Sequence, residues 1–276
     1  MNNTALPDST IIISNRNASQ YIGSNVCLPD HVRVISTEAF FKQRVIQNIA
    51  FPPMLEIIGA RAFFCCPSIR ELSLPTNLRK MGNSAFSECI ALKSVTLPSG
   101  LRQIPREAFS RCKKLHTVIF PENCSTISIG HSAFHECVSL AAVSLPEHLT
   151  IINDRAFYRC KNLKEVTFPK GLIRIGNYAF YFCAMDKLEL PDTLEALGES
   201  AFFRCKFLTE VELPTSVKYI GKWCFHGCDR LKYLTIRHDP EFIGEWIINR
   251  AAAIRCYKGS VVDKYCQENE LNVEYL

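Results

Sequence analysis

A 23-residue spacing governs this chain. Copies of one pattern begin at Ile35, Ile58, Met81, Ile104, Ile129, Ile152, Ile175, Leu197 and Ile220; seven are 23 residues long, the Ile104 copy has 25 and the Ile175 copy has 22. A tenth start, at Ile243, soon leaves the pattern. Self-similarity at such a period marks a stack of small units, none of which can bury its apolar face alone. The length of 276 residues would otherwise suggest one or two domains, but the period makes it a single elongated one.

The copy from Ile152 to Arg174 shows what each unit must be. With Ile152 as position 1, the apolar or small positions are Ile152, Ala156, Phe157, Cys160, Leu163, Val166, Phe168 and Leu172. Ala156, Phe157, Cys160 and Leu163 lie three or four apart, which predicts a short helical turn with one inward face. Val166 and Phe168 lie two apart and Pro169 follows, which predicts a short strand that stops there. The expected strand centres are Ile49, Leu72, Val95, Val118, Val143, Val166, Leu188, Val211 and Leu234, all in parallel.

The order I-G-x-x-A-F-x-x-C-x-x-L-x-x-V-x-L-P-x-x-L resembles the BspA-like (Treponema-type) leucine-rich repeat family. The likeness covers roughly residues 26 to 246, and IGHSAFHECVSLAAVSLPEHL from Ile129 and LGESAFFRCKFLTEVELPTSV from Leu197 fit almost every column. The resemblance implies an α/β repeat solenoid: a right-handed leucine-rich-repeat solenoid of about nine coils, with short parallel strands on one face and short helical turns on the other. It implies binding rather than catalysis, and it permits a cell-surface adhesin or host-matrix binder.

Both ends of such a stack need covering. Residues 1–25 are expected to form an N-terminal cap, with Ile11, Ile12 and Ile13 as its covering strand, before a solenoid over 26–246. Residues 247–276 are expected to form the C-terminal cap. There Ser260 followed by Asp263 predicts the start of a closing helix whose inward face carries Val261, Val262, Tyr265 and Cys266. Leu271, Val273 and Tyr275 alternate as a last strand would. All three segments belong to one structural domain.

Eight of the 14 cysteines occupy position 9: Cys66, Cys89, Cys112, Cys137, Cys160, Cys183, Cys205 and Cys228. A column repeated in stacked coils is a packing column, and parallel side chains so arranged are poorly placed for the close Cβ approach of a disulfide. These thiols are expected to be reduced, buried fillers. Position 2 is a glycine column, Gly59, Gly82, Gly130, Gly176, Gly198, Gly221 and Gly244. Pro105 stands in the same column, so positive φ is not its common requirement; close backbone approach is.

Charge excludes some functions. The net charge of +5 is spread over interspersed acids and bases with no run of like sign, which argues against a nucleic-acid partner. No apolar stretch reaches spanning length, and MNNTALPDSTIIISNRN lacks the pattern of a secretory signal. A cytoplasmic location is expected, with the cell surface as the alternative if Met1 is not the native start. No H-E-x-x-H, G-x-S-x-G, Walker loop or G-x-G-x-x-G occurs, so no enzyme, cofactor or metal is expected. His135, Glu136 and Cys137 put their side chains on opposite sides of the coil, and Cys224 with Cys228 face the core while His226 points out, so neither cluster makes a site.

The outward positions therefore carry the functional reading, with a protein partner and a monomeric chain expected. At strand positions 14 and 16, Ser94, Thr96, Thr117, Ile119, Ala142 and Ser144 give way to Glu165, Thr167, Lys187, Glu189, Glu210, Glu212 and Tyr233. A basic row at position 13, Arg70, Lys93, Lys164 and Lys232, lies beside them. The candidate partner site is Glu165, Lys187, Glu189, Glu210, Glu212 and Tyr233, with Glu189, Glu210 and Glu212 repelling one another unless Lys187 or a partner's Arg or Lys offsets them. On the turn side, Glu88, Arg111, Glu136 and Arg159 alternate in sign at position 8. An aromatic stripe of Tyr158, Tyr181, Phe182, Phe203 and Trp223 offers the alternative surface.

Overall fold

Each coil is held by two rows of parallel strands and one run of turns, and all three share a single core. The structure is a computed structural model that describes residues 12–276. One row contains two-residue strands, Ile12–Ile13 through Phe242–Ile243, in sheets of four and seven strands. Position 1 closes each of these strands inward, and its Ile, Met or Leu side chain is buried from Ile13 to Ile220. The other row carries the expected strand centres. Val95 pairs with Val118 and with Leu72, Val143 with Val166, and Val211 with Leu234, residue on residue and in parallel.

The stacking repeat is visible in the core. Nine buried phenylalanines at position 6, Phe40 to Phe225, lie ring on ring, with neighbouring centroids 5.0 Å apart at Phe40–Phe63 and 5.7 Å apart at Phe86–Phe109. Flat rings stack offset at this distance, so each coil seals the next.

Positions 5 to 12, expected as a helical turn, are not helix. Among the described residues the α-helix is Val261–Glu268 and the 3-10 helix is Ala18–Tyr21. In the turns the backbone bends every four residues through a left-handed residue, as at Arg155 (φ 57°) and Arg159 (φ 58°). Alternate amides then serve two directions. Ala156 N donates to Asn153 O within the coil, while Arg155, Phe157 and Arg159 N donate to Asn177, Ala179 and Tyr181 O of the next coil. A helix would spend every one of these groups inside its own coil. Bonding between coils ties the stack together, and it offsets the cost of left-handed backbone at residues with a Cβ.

The glycine column behaves as its chemistry requires. A Cβ on Gly221 would lie 2.4 Å from Glu199 N, and one on Gly82 would lie 2.2 Å from Ala60 N, so adjacent coils meet backbone to backbone. Asn153, in the same column, turns its side-chain amide back to donate to Ile129 O at 2.9 Å.

Both ends continue the strand rows. Ile12–Ile13 pairs with Val34–Ile35 as the first rung of its row, while Ile11 lies outside the described residues. Ala253–Cys256 and Asn272–Tyr275 add two rungs beyond Tyr233–Ile236. Between them runs the closing helix, whose N-cap Ser260 accepts from Asp263 N. Val262 and Cys266 are buried and Tyr265 OH donates to Gly244 O at 3.1 Å, but Val261 is exposed because it sits on the first turn, outside the inward face.

One rung is missing. Leu188 was expected to centre a strand, yet no strand forms there, and the row breaks between Glu165–Thr167 and Glu210–Leu213. The Ile175 copy is one residue short. Met185 takes the buried place that Leu163 fills one coil earlier, so the residue is lost in the turn before it; Leu188 still faces the core as Val166 does, but Asp186–Leu190 forms no strand.

Candidate interaction surfaces

The face formed by strand positions 14 and 16 begins with a polar pair, Asn48 donating its side-chain amide to Asn25 at 2.7 Å. After the exposed Glu71 it is neutral through Ser94–Thr96, Thr117–Ile119 and Ala142–Ser144. Glu165 then stands exposed on its strand, Lys187 and Glu189 stand exposed on the irregular rung, and Glu210 and Glu212 stand exposed on theirs.

These residues do not form one repelling cluster. Arg237 Nε donates to Glu212 Oε1 at 2.8 Å, and the guanidinium of Arg255 lies 3.5 Å from the centre of the Tyr233 ring while its Nε donates to Glu274 at 2.9 Å. Hydrogen bonds to Glu212 and Tyr257 raise the pKa of Arg237 further. The C-terminal end of the face is thus satisfied from within the chain. Arg255 and Glu274 lie beyond the point where the repeat dissolves, and Arg237 stands in the Ile220 copy where other copies carry proline; the alternation of Ala253, Ile254, Arg255 and Cys256 is the one signal that places Arg255 on the face.

Glu165, Lys187, Glu189 and Glu210 take no part in an ion pair among the described residues. The first three border an open groove of about 940 Å³ at the missing rung, together with Lys164, Lys170, Asp186 and Asp192. Val166, Phe168, Leu190 and Pro191 supply its apolar lining. The backbone of Asp186–Leu190 makes no backbone hydrogen bond with either neighbouring coil. Leu145 N donates to Thr167 O, so Thr167 turns its peptide groups to the earlier coil, and Val166 and Phe168 turn theirs to the gap.

On the turn side the aromatic residues pack against one another. His135, Tyr158, Tyr181, Phe203 and His226 form one continuous stack at position 7, with centroid distances of 5.3, 4.7, 5.1 and 5.8 Å. Tyr158, Tyr181 and Phe203 are half-buried in it. Phe182 lies in the next column with Lys161 Nζ 5.8 Å from its centre, and Trp223 is exposed with Lys222 Nζ at 4.7 Å. The position-8 ladder is present as expected: Arg111 meets Glu88 at 3.2 Å and Glu136 at 3.5 Å, and Arg159 meets Glu136 at 3.8 Å.

The cysteine column is chemically quiet. All eight thiols are buried and unpaired, and burial pushes the Cys66 and Cys205 thiols up to about 12. His135 and Glu136 approach only to 3.9 Å beside the buried Cys137, and His226 stacks on Phe203 away from Cys224 and Cys228. No group of three His, Cys, Asp or Glu is arranged to hold a metal ion among the described residues.

A sequence profile described as "BspA type Leucine rich repeat region (6 copies)" matches residues 12–128 and 127–254. The chain belongs to the BspA-type leucine-rich repeat family. Among solved structures, this BspA-type chain is similar to a leucine-rich repeat protein from Bacteroides ovatus, with 26% identity and a TM-score of 0.73 over 85% of this chain and 63% of that one. A leucine-rich repeat protein from Eubacterium ventriosum gives 25% identity and a TM-score of 0.58 over 61% of this chain and 45% of that one. The chain therefore spans less than two thirds of either. The pneumococcal vaccine antigen PcpA, at 21% identity and a TM-score of 0.50 over 92% of this chain and 79% of that one, shares the fold alone. No curated protein matches. Among the described residues, no helix of this BspA-type protein is long and apolar enough to cross a membrane.

Proposed function

We propose that this chain is a noncatalytic protein-interaction module, and that its partner binds across the strand row where the row opens at Asp186–Leu190. The observation that carries this reading is the unbonded backbone of those five residues: the row also parts between Asn48–Ala50 and Glu71–Ser73 and between Thr117–Ile119 and Ala142–Ser144, but there each flanking segment is a strand paired on its other side. Peptide groups left unpaired at a sheet are the matching surface for an extended segment of another protein. The apolar lining of the groove gives that segment somewhere to bury side chains, and Glu165, Lys187 and Glu189 at its rim select by charge. Glu210 borders the same break, while Glu212 and Tyr233 act as its internally braced flank.

The reading is tested by placing a photo-crosslinking amino acid at Lys187 and, separately, at Ser94 on the neutral end of the same face. A protein partner should crosslink from position 187 and not from position 94. Equal crosslinking from both, or from neither, would reject the opened rung as the site.

A further inference from the structure

The aromatic stack at position 7 has a hole in it. Phe41 and Phe64 stack at 5.4 Å at one end, and the five-ring stack starts at His135, but the two coils between carry Ser87 and Ser110. At about 5 Å per coil, Phe64 and His135 stand about 15 Å apart, which leaves two ring levels empty. The space is an open cavity of about 550 Å³ bordered by Phe64 and Tyr158.

Its chemistry is polar and basic. Ser87 and Ser110 are buried at its floor; Ser87 Oγ donates to Ser110 O at 3.2 Å, and Ser110 Oγ shares a hydrogen bond with His135 Nδ1 at 3.3 Å. His131 borders the cavity with a buried Nδ1 that has no partner among the described residues. Arg106, Arg111 and Arg155 stand around it. Glu107 and Glu88 are engaged by Arg106 at 3.1 Å and Arg111 at 3.2 Å, whereas Arg155 meets no acid among the described residues and rests over the Tyr178 ring. The pKa of His135 lies below its ordinary value, first through burial and, against the pull of Glu136, through Arg111, Arg155 and Arg159.

We propose that this two-coil vacancy binds an aryl ring carrying an anionic substituent such as phosphate. The ring would occupy the empty level against His135, where offset stacking is favourable. Its anion would meet Arg155, with the His131 nitrogen and the serine hydroxyls as further hydrogen-bonding groups. This site is separate from the opened strand row and stands or falls without it.

Isothermal titration calorimetry on the full chain with phenyl phosphate, inorganic phosphate and phenol tests it. Phenyl phosphate should bind one to one and about tenfold or more tighter than either of the others, since only it supplies ring and charge together. Ser110→Phe restores a ring to the column and should abolish that binding while leaving a cooperative thermal transition. Arg155→Gln, at an exposed position, should weaken phenyl phosphate severalfold and leave phenol unchanged. A phosphotyrosine peptide that binds tighter than phenyl phosphate assigns the ring to a partner's side chain, and one that binds no tighter assigns it to a free aryl acid; both support the site. Phenyl phosphate binding no tighter than inorganic phosphate would overturn the proposal, as would a folded Ser110→Phe or Arg155→Gln protein that binds it like the parent.

Discussion

The thiol of Cys112 donates a 3.2 Å hydrogen bond to the carbonyl oxygen of Phe86, one coil earlier. The same bond recurs from Cys89 to Phe63, from Cys160 to Phe134 and from Cys228 to Phe202. The cysteine column is therefore a donor column as well as a filler. Cys112→Val keeps the apolar volume and loses the donor, and it should cost about 1 kcal/mol. Cys112→Ala also opens a cavity and should cost about 1 to 3 kcal/mol. Urea unfolding checks both, and a valine variant as stable as the parent would show that the sulfur only fills space.

Stability should fall in alkali. Burial raises the Cys66 and Cys205 thiols from 9.0 to about 12, so the folded state holds these protons after the unfolded chain has begun to release them. Their contribution is complete below pH 9 and declines as pH rises from 9 towards 12. Urea midpoints measured from pH 7.5 to pH 11 should drop along this course, with a shallower slope in a Cys66→Ala, Cys205→Ala double variant. Identical slopes would show that other groups control the alkaline loss.

Glycine substitutions should divide by position. Gly221→Ala would force a methyl group against backbone atoms at 2.4 Å, whereas a Cβ on Gly100 would meet its nearest neighbour at an ordinary 3.6 Å. Gly221→Ala should destabilise by several kcal/mol, as overpacking against backbone does, and Gly100→Ala by less than about 1 kcal/mol. Thermal unfolding separates the two, and similar losses would refute close approach as the reason for the column.

Restoring the missing residue should restore the missing rung. One asparagine inserted between Ala184 and Met185 returns the Ile175 copy to 23 residues and gives the turn before Leu188 the length it has in the neighbouring coils. Amide exchange over 186–190 should slow and the thermal midpoint should rise, because unpaired peptide groups gain partners. Unchanged exchange there would mean that the shortened turn is not what opens the row.

The sequence by itself determined the inside of this protein. A column such as Phe40 to Phe225 is buried because the same residue type returns once per coil, and periodicity alone specifies which side chains face the core. The short Ile175 copy is countable, but a strand was still expected at Leu188, and its absence was decided by the structure. Tertiary structure decided what periodicity does not encode. Left-handed backbone at Arg155 and Arg159 exists because alternate amides bond to the next coil, a partner invisible within one repeat. The expected acidic cluster is braced at Glu212 by Arg237, and Tyr158, Tyr181 and Phe203 stack instead of standing free. In each case the deciding contact lies one coil away, where a surface side chain is set by its particular neighbour and not by the repeat.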